Sequence, residues 1–390
     1  MKHAVVIGRN FASRLGMIRS IGKLGVSVYV INTNNSKYDV DRYSKYVKKV
    51  YTAIEPDEEG LIRVLLNIAK GQNEKMLLLP TDDYSLAVTD SHLNILSQYY
   101  LCQNINMTQG NIEVWMDKQK QKHLAETLGI PVAKGFIVEF SNGGYKLPEG
   151  ITYPCFTKQI VTISNPKDFL QKCDNEKELK TVLDKAAVAL NNSSILVEQF
   201  IDIEKEYAAV GFCDGKNCYM PSIYQMLLDG KGVHRGVTIQ GKVSPTDRYS
   251  DTFDKFKKLM QEIHFTGLFD IDAYESGGIL YFNELNLRLG ASGWVMTSEG
   301  INLPGMFFDY CNNNSVHKKY TDYKYEKVFV NENGLSKHFL SKHITWSEYN
   351  NILRSSNIYF IKYDGDNLPY YIFYTKLRIK RIINWIKNIL

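Results

Sequence analysis

Apolar positions recur along most of the chain at strand or helix spacing, and their order predicts an α/β protein. Residues 3–8 form a short apolar run ending in Gly8. Residues 11–24 place Leu15, Ile18, Ile21 and Leu24 at helical spacing, and Gly25 closes the segment as a C-terminal glycine does. Residues 26–31 read as a second strand. Such a strand–helix–strand unit predicts a parallel layer with a right-handed crossover. The pattern continues through a helix over 59–70 and a strand over 76–79 into Pro80-Thr81-Asp82-Asp83. Acids just past a parallel strand stand at the ligand edge of these sheets, and Asp83 reads equally as the N-cap of a helix over 84–95. Farther on, a helix over 114–128 ends at Gly129. Strands are expected over 153–159, 195–201 and 203–212.

Residues 265–292 break the apolar rule. Two apolar runs, 268–274 and 279–287, are joined by Glu275-Ser276-Gly277-Gly278, a hairpin signal. Alternation puts Asp270 and Asp272 on one face of the first run, and Glu284, Asn286 and Arg288 on one face of the second. Pairing the strands gathers carboxylates whose mutual repulsion needs a counter-charge. Mg²⁺ supplies one, because it takes oxygen ligands from one or two carboxylates plus substrate phosphates. Asp272, Glu284 and Asn286 would offer those oxygens, with the planar fork of Arg288 beside them for phosphate or carboxylate. A solvated, purely structural hairpin face is the plainer alternative.

Composition narrows the field only a little. At 390 residues and 44% apolar content, the chain can build two or three domains with sizeable cores. A net charge of +5 is mild, so no nucleic-acid partner is expected. The six cysteines show neither CxxC nor zinc spacing, and the first apolar run has strand length rather than that of a secretory signal. Reduced thiols and a cytoplasmic location follow as expectations. No Ser-His-Asp or Cys-His arrangement stands out, and His234 and His264 read as structural.

Several charged positions take on a pattern together. Asp117-Lys118 precedes a helix ending Gly129-Ile130-Pro131. Lys158 sits in a strand, Val197-Glu198-Gln199-Phe200-Ile201 forms another, and the acidic hairpin ends Asn283-Glu284-Leu285-Asn286-Leu287-Arg288. This order resembles the ATP-grasp superfamily. Residues 17–26 and 42–46 are similar to the domain that precedes ATP-grasp in carboxylate–amine ligases, and 283–311 resembles D-aspartate ligases. The resemblance spans roughly residues 1–315. It implies a Rossmann-like domain over 1–113, a two-subdomain α+β ATP-grasp domain over 114–315, and a C-terminal extension over 316–390. It implies ATP and Mg²⁺ as cofactors, and carboxylate and amine small molecules as substrates. By the same resemblance Lys118 and Lys158 meet nucleotide phosphates, Glu198, Gln199 and Ile201 line the adenine edge, and Glu206 binds the ribose. Asp272, Glu284 and Asn286 match the metal ligands, and Arg288 the arginine that steadies phosphate during transfer.

The departures from that pattern carry further expectations. Residues 159–166, after Lys158, lack the glycines of the usual phosphate flap, leaving Thr162, Ser164 and backbone amides to serve. Residues 228–241, rich in glycine and basic side chains, read as a second mobile loop, and 312–325 as a linker. The tail, 370–390, has five basic residues and no acid, with Leu377, Ile379, Ile382, Ile383 and Ile386 approximating an apolar helical face. Such a helix packs on the protein's own body or lies on the anionic inner face of a membrane. Two other classes remain at this point: a nicotinamide-dependent oxidoreductase using the first domain, and a non-catalytic membrane-associated scaffold using the tail.

Overall fold

A computed structural model describes residues 2–36, 39–141, 143–159, 169–189, 193–230, 237–313 and 323–387. The chain divides into two compact units. The first comprises Met1–Asp117, Glu206–Asp272 and Glu284–Leu390, and the second Lys118–Lys205 with Ala273–Asn283. Both are discontinuous in sequence, unlike the three consecutive ranges expected above.

In the first unit, strands Val47–Thr52, Ser27–Asn32, His3–Gly8, Met76–Pro80 and Tyr100–Leu101 form a parallel sheet in that order. Helix Phe11–Gly22 starts where the Asn10 side chain accepts from the Ala12 N–H at 2.9 Å. Its buried residues extend well beyond the apolar stripe, because both Arg14 and Arg19 are enclosed. A Cβ at Gly16 would lie 3.0 Å from the Trp294 Cβ, so the small residue lets another segment of this unit approach the helix. A second sheet runs Ile279–Asn286, Phe265–Ser276, Lys205–Asp214, Ile223–Asp229, Thr238–Ser244, Lys327–Val330 and Ile358–Tyr359. The hairpin expected at 275–278 is present, with Gly277 and Gly278 at φ +57° and +77°. Those left-handed values are what a two-residue turn between twisted strands requires.

In the second unit, strands Gly135–Glu139, Ser194–Gln199, Cys155–Gln159 and Gln171–Cys173 form an antiparallel sheet in that order. Helix Glu176–Ala189 buries Leu179, Val182, Leu183, Ala186 and Ala187 in a core with Val138, Ile195 and Val197. The hairpin residues of this unit join it through the Phe282 N–H, which donates to the Pro131 carbonyl at 2.8 Å.

Several expectations need correction. The helix over 114–128 is two helices, Asn111–Trp115 and Lys118–Thr127, the first closing as the Met116 N–H bonds back to Ile112 and Glu113. The helix after Pro80 is capped by Asp82, which accepts from the Ser85 N–H at 2.8 Å; Asp83 is its first residue. The two ends of the supposed loop over 228–241, residues 228–229 and 238–241, are sheet, since Ile223–Asp229 pairs with Thr238–Ser244 through register shifts near Leu228. Residues 231–236 lie outside the described residues, as do 160–166 of the glycine-free segment and 314–322 of the linker. All six cysteines are free.

The C-terminal segment belongs to the first unit's own body. Arg19 donates to Asp366 Oδ2 at 3.0 Å and to the carbonyls of Phe360, Ile361 and Asp366. Helix Leu368–Lys387 buries Leu377 beside Val330, Leu335 and Tyr349, while Ile379, Ile382 and Ile383 remain exposed. No described helix is long and apolar enough to cross a membrane.

Candidate functional site

Two of the charged clusters among the described residues, one in each unit, contain the expected site residues. In the first unit the strand alternation puts Asp270 and Asp272 on one hairpin strand and Glu284 and Asn286 on the other. Asn286 Nδ2 donates to Asp272 Oδ2 at 3.3 Å, and Arg288 Nη2 donates to Asn286 Oδ1 at 3.2 Å. Arg288 also forks onto Asp83, with Nε 2.9 Å from Oδ1 and Nη2 3.4 Å from Oδ2. Asp83, displaced from the cap by Asp82, thus faces the hairpin instead.

The acidic group is short of positive charge. Burial pushes the Asp270 carboxyl up to about 6; Arg288 and Ser292 oppose that rise, and Glu284 adds to it. Asp272 is driven well above the ordinary carboxylate range by burial, then by Asp270 and Glu284. Asp270 Oδ1 is buried with no hydrogen-bond partner. Arg288 divides its donors between Asp83 and Asn286. Among the described residues no three acidic, thiol or imidazole side chains are grouped so that they alone could hold a metal ion. An unpaired buried carboxylate oxygen beside two repelling carboxylates and an amide is a donor set that fits a hard divalent cation completed by substrate oxygens.

The second cluster centres on Glu198, whose side chain is 3% exposed. Lys158 Nζ approaches Glu198 Oε2 at 2.5 Å, and Lys122 pairs with Oε1. Burial alone would raise the Glu198 carboxyl, but Lys158 and then Lys122 hold it below its usual value. Lys122 itself is lowered by burial, partly restored by Glu198, and lowered again by Lys158 and Lys118. Two ammonium groups therefore pair with one carboxylate while Lys118 acts on Lys122, an arrangement that suits an incoming polyanion. The sequence reading omitted Lys122. Its signal was present: on helix Lys118–Thr127 it lies four residues after Lys118, on the same helical face.

The remaining expected residues are placed less distinctively. The Gln199 N–H donates to the Lys134 carbonyl at 2.8 Å, which continues the sheet edge past Glu198. Ile201 is half-buried in the second unit, and Glu206 is exposed in the first. The turn after Gly8 fits a dinucleotide poorly. The Arg9 N–H, which would face a pyrophosphate, donates to Asp82 Oδ2 at 2.5 Å, and Arg14 fills the Gly8 carbonyl. A diphosphate there would meet a carboxylate.

Residues 123–304 match the family model for the ATP-grasp domain. Those residues of the chain thus carry an ATP-grasp domain. The chain is 24% identical over 275 residues to the carbamoyl phosphate synthase large chain of Clostridium beijerinckii, covering 70% of this chain and 24% of that relative. The chain thus spans about a quarter of the length of that relative. Its fold is similar to the L-amino acid ligase from Bacillus licheniformis, with a TM-score of 0.59 and 16% identity over 80% of this chain and 74% of that one. It is also similar to N5-carboxyaminoimidazole ribonucleotide synthetase in complex with ADP, with a TM-score of 0.63 and 15% identity over 87% and 83% of the two chains. An ATP-grasp fold, the expected fold class, is therefore established.

Proposed function

We propose that this ATP-grasp ligase joins a small-molecule carboxylate to an amine, using ATP and Mg²⁺, through an acyl phosphate. The observation that carries this reading is the acidic hairpin face, where buried carboxylates await positive charge beside an arginine. Lys118, Lys122 and Lys158 would hold nucleotide phosphates, Gln199 and Ile201 the adenine edge, and Glu206 the ribose. Glu198 orients Lys122 and Lys158 rather than touching base directly. Asp272, Glu284 and Asn286 would hold Mg²⁺, with Asp270 behind them, and bound Mg²⁺ supplies charge neutralisation at the phosphates. A carboxylate attacking a triphosphate brings anions together, and Arg288 stands ready to steady the transferring phosphoryl group once it leaves Asp83. Displacement of phosphate by an amine then forms the C–N bond, with no side-chain nucleophile needed. The similarity of 283–311 to D-aspartate ligases supports an amino acid as one substrate and cell-envelope material as the acceptor.

A cytoplasmic location with peripheral contact at the inner membrane face is the second part of the reading. It is supported by exposed Ile379, Ile382 and Ile383 on a helix without acidic residues. The catalytic reading is tested by incubating the protein with ATP, Mg²⁺ and pooled amino acids, and following ADP, phosphate and new amides by mass spectrometry. Amide formation coupled to ADP and phosphate release is expected. ADP-free turnover, or ATP cleavage indifferent to every amino acid supplied, would overturn it.

A further inference from the structure

The C-terminal lobe of the first unit carries a cavity of about 780 Å³, formed by the segment between two helices and by one side of helix Leu368–Lys387. Its size suits a single small ligand. Phe339, Ile344 and Ile382 give it apolar walls, while Lys342, Arg378 and Arg381 bring positive charge. The acid that lines it, Glu348, is committed to a helix cap, where its Oε2 accepts from the Thr345 N–H at 2.7 Å and hydroxyl at 2.8 Å.

Two details show that the cations are held for something. The Arg381 guanidinium lies 4.0 Å from the centre of the Trp346 ring and 5.4 Å from that of Phe339. Stacking fixes the plane of the fork and leaves its N–H edge to bond an oxyanion. Among the described residues no carboxylate forms an ion pair with Arg378, Arg381 or Lys342. Lys342 adopts a left-handed backbone, φ +59°, just after helix Glu332–Leu340, at a position that ordinarily favours glycine. Arg378 and Arg381 are three residues apart and so share a helix face, a spacing that suits two forks closing on one tetrahedral anion. Beyond the cavity the same helix continues with exposed Ile379 and Ile383.

We infer that this cavity binds the phosphate headgroup of an anionic lipid, with Arg378 and Arg381 on the phosphate, Lys342 at the rim, and the first acyl carbons against Phe339, Ile344 and Ile382. Charge complementarity selects this occupant: a lining in which three cations outnumber one carboxylate, beside apolar walls, matches an anion that carries a hydrocarbon chain. The inference deepens the peripheral-contact reading, and the use of monomeric lipid lets the two fail separately.

The test is calorimetric titration of the full chain with dihexanoyl phosphatidic acid below its micelle concentration. Dihexanoylglycerol, inorganic phosphate and anionic phosphatidylglycerol vesicles serve as separate arms. One-to-one binding of the phosphatidic acid is expected, at least about tenfold tighter than either uncharged dihexanoylglycerol or inorganic phosphate. Arg381→Gln should weaken it about tenfold or more. Arg378→Gln, on an exposed side chain whose loss leaves folding intact, should do the same. Equal binding of the uncharged lipid, binding of inorganic phosphate as tight as that of the lipid, or wild-type affinity in both variants would overturn the inference. So would vesicle binding without any monomer binding, which would leave a surface helix and no site.

Discussion

The first unit buries charge in two different ways. Around Arg14 and Arg19 every charge is answered. Arg14 donates to Asp41, Asp39 and the Gly8 carbonyl, and Arg19 to Asp366 and three carbonyls. At the acidic hairpin, Asp270, Asp272 and Glu284 repel one another, an oxygen of Asp270 has no partner, and Arg288 is shared with Asp83. Both regions withdraw charge from solvent, although Asp272 and Glu284 are only half-buried, and both contain arginine beside carboxylate. Saturation separates them: a closed network holds the fold, whereas an open one is costly until something binds. Burial of charge alone would not have told scaffold from site.

The largest effect that could break this comparison is expected at Glu284. Glu284→Gln should lower turnover by about 100-fold or more while the unfolding temperature stays close to that of the wild type. Steady-state ADP release and thermal unfolding check both halves; near-normal turnover would remove the hairpin from the mechanism. In the closed network the consequences should be reversed. Arg19→Leu leaves the buried Asp366 carboxylate without its counter-charge, and should cost about 3–5 kcal/mol of stability in urea unfolding. The double variant with Asp366→Leu should recover much of that loss, because both charges are then gone.

Lys158 lies between these extremes, for its partner Glu198 is doubly paired yet the cluster is cationic. Lys158→Ala should weaken ATP binding by about 1.5–3 kcal/mol, measured by titration, and stability by less, since Lys122 still answers Glu198. Unchanged nucleotide affinity would make the pair structural. A smaller effect concerns pH. Because the folded-state pKa of Asp270 is raised to about 6, the metal-free protein holds a proton that the unfolded chain releases near pH 4. Its contribution to stability therefore falls as pH rises from about 4 to about 6 and stays lost above that. Asp270→Asn should flatten this fall and stabilise the metal-free protein at neutral pH by on the order of 2 kcal/mol, read from unfolding curves across that range.

Local chemistry made much of the scaffold readable. The glycine pair at 277–278, the alternation that put Asp270 with Asp272, and the first strand–helix–strand unit depend on neighbours a few residues apart. What escaped depends on distance along the chain. Arg19 resembles a surface arginine on an amphipathic helix until Asp366, 347 residues later, encloses it. The choice between Asp82 and Asp83 as cap turns on which of two adjacent carboxylates the Ser85 N–H meets, with Arg288 taking the other. Helix periodicity does not reveal the break before Lys118 either. The tail was legible as an amphipathic helix, but the burial of Leu377 against Val330 and Leu335 requires the fold. Removing it from residue 370 onward would therefore disturb the core as well as any surface contact.

In the proposed function the open acidic face is the place where metal and nucleotide meet the protein. Its most direct test is the affinity of ADP, measured by calorimetry with and without Mg²⁺, for the wild type and for Glu284→Gln. Mg²⁺ should tighten ADP binding by about tenfold or more in the wild type and by little in the variant. An equal Mg²⁺ effect in both proteins would show that the hairpin carboxylates hold no metal, and would contradict the account.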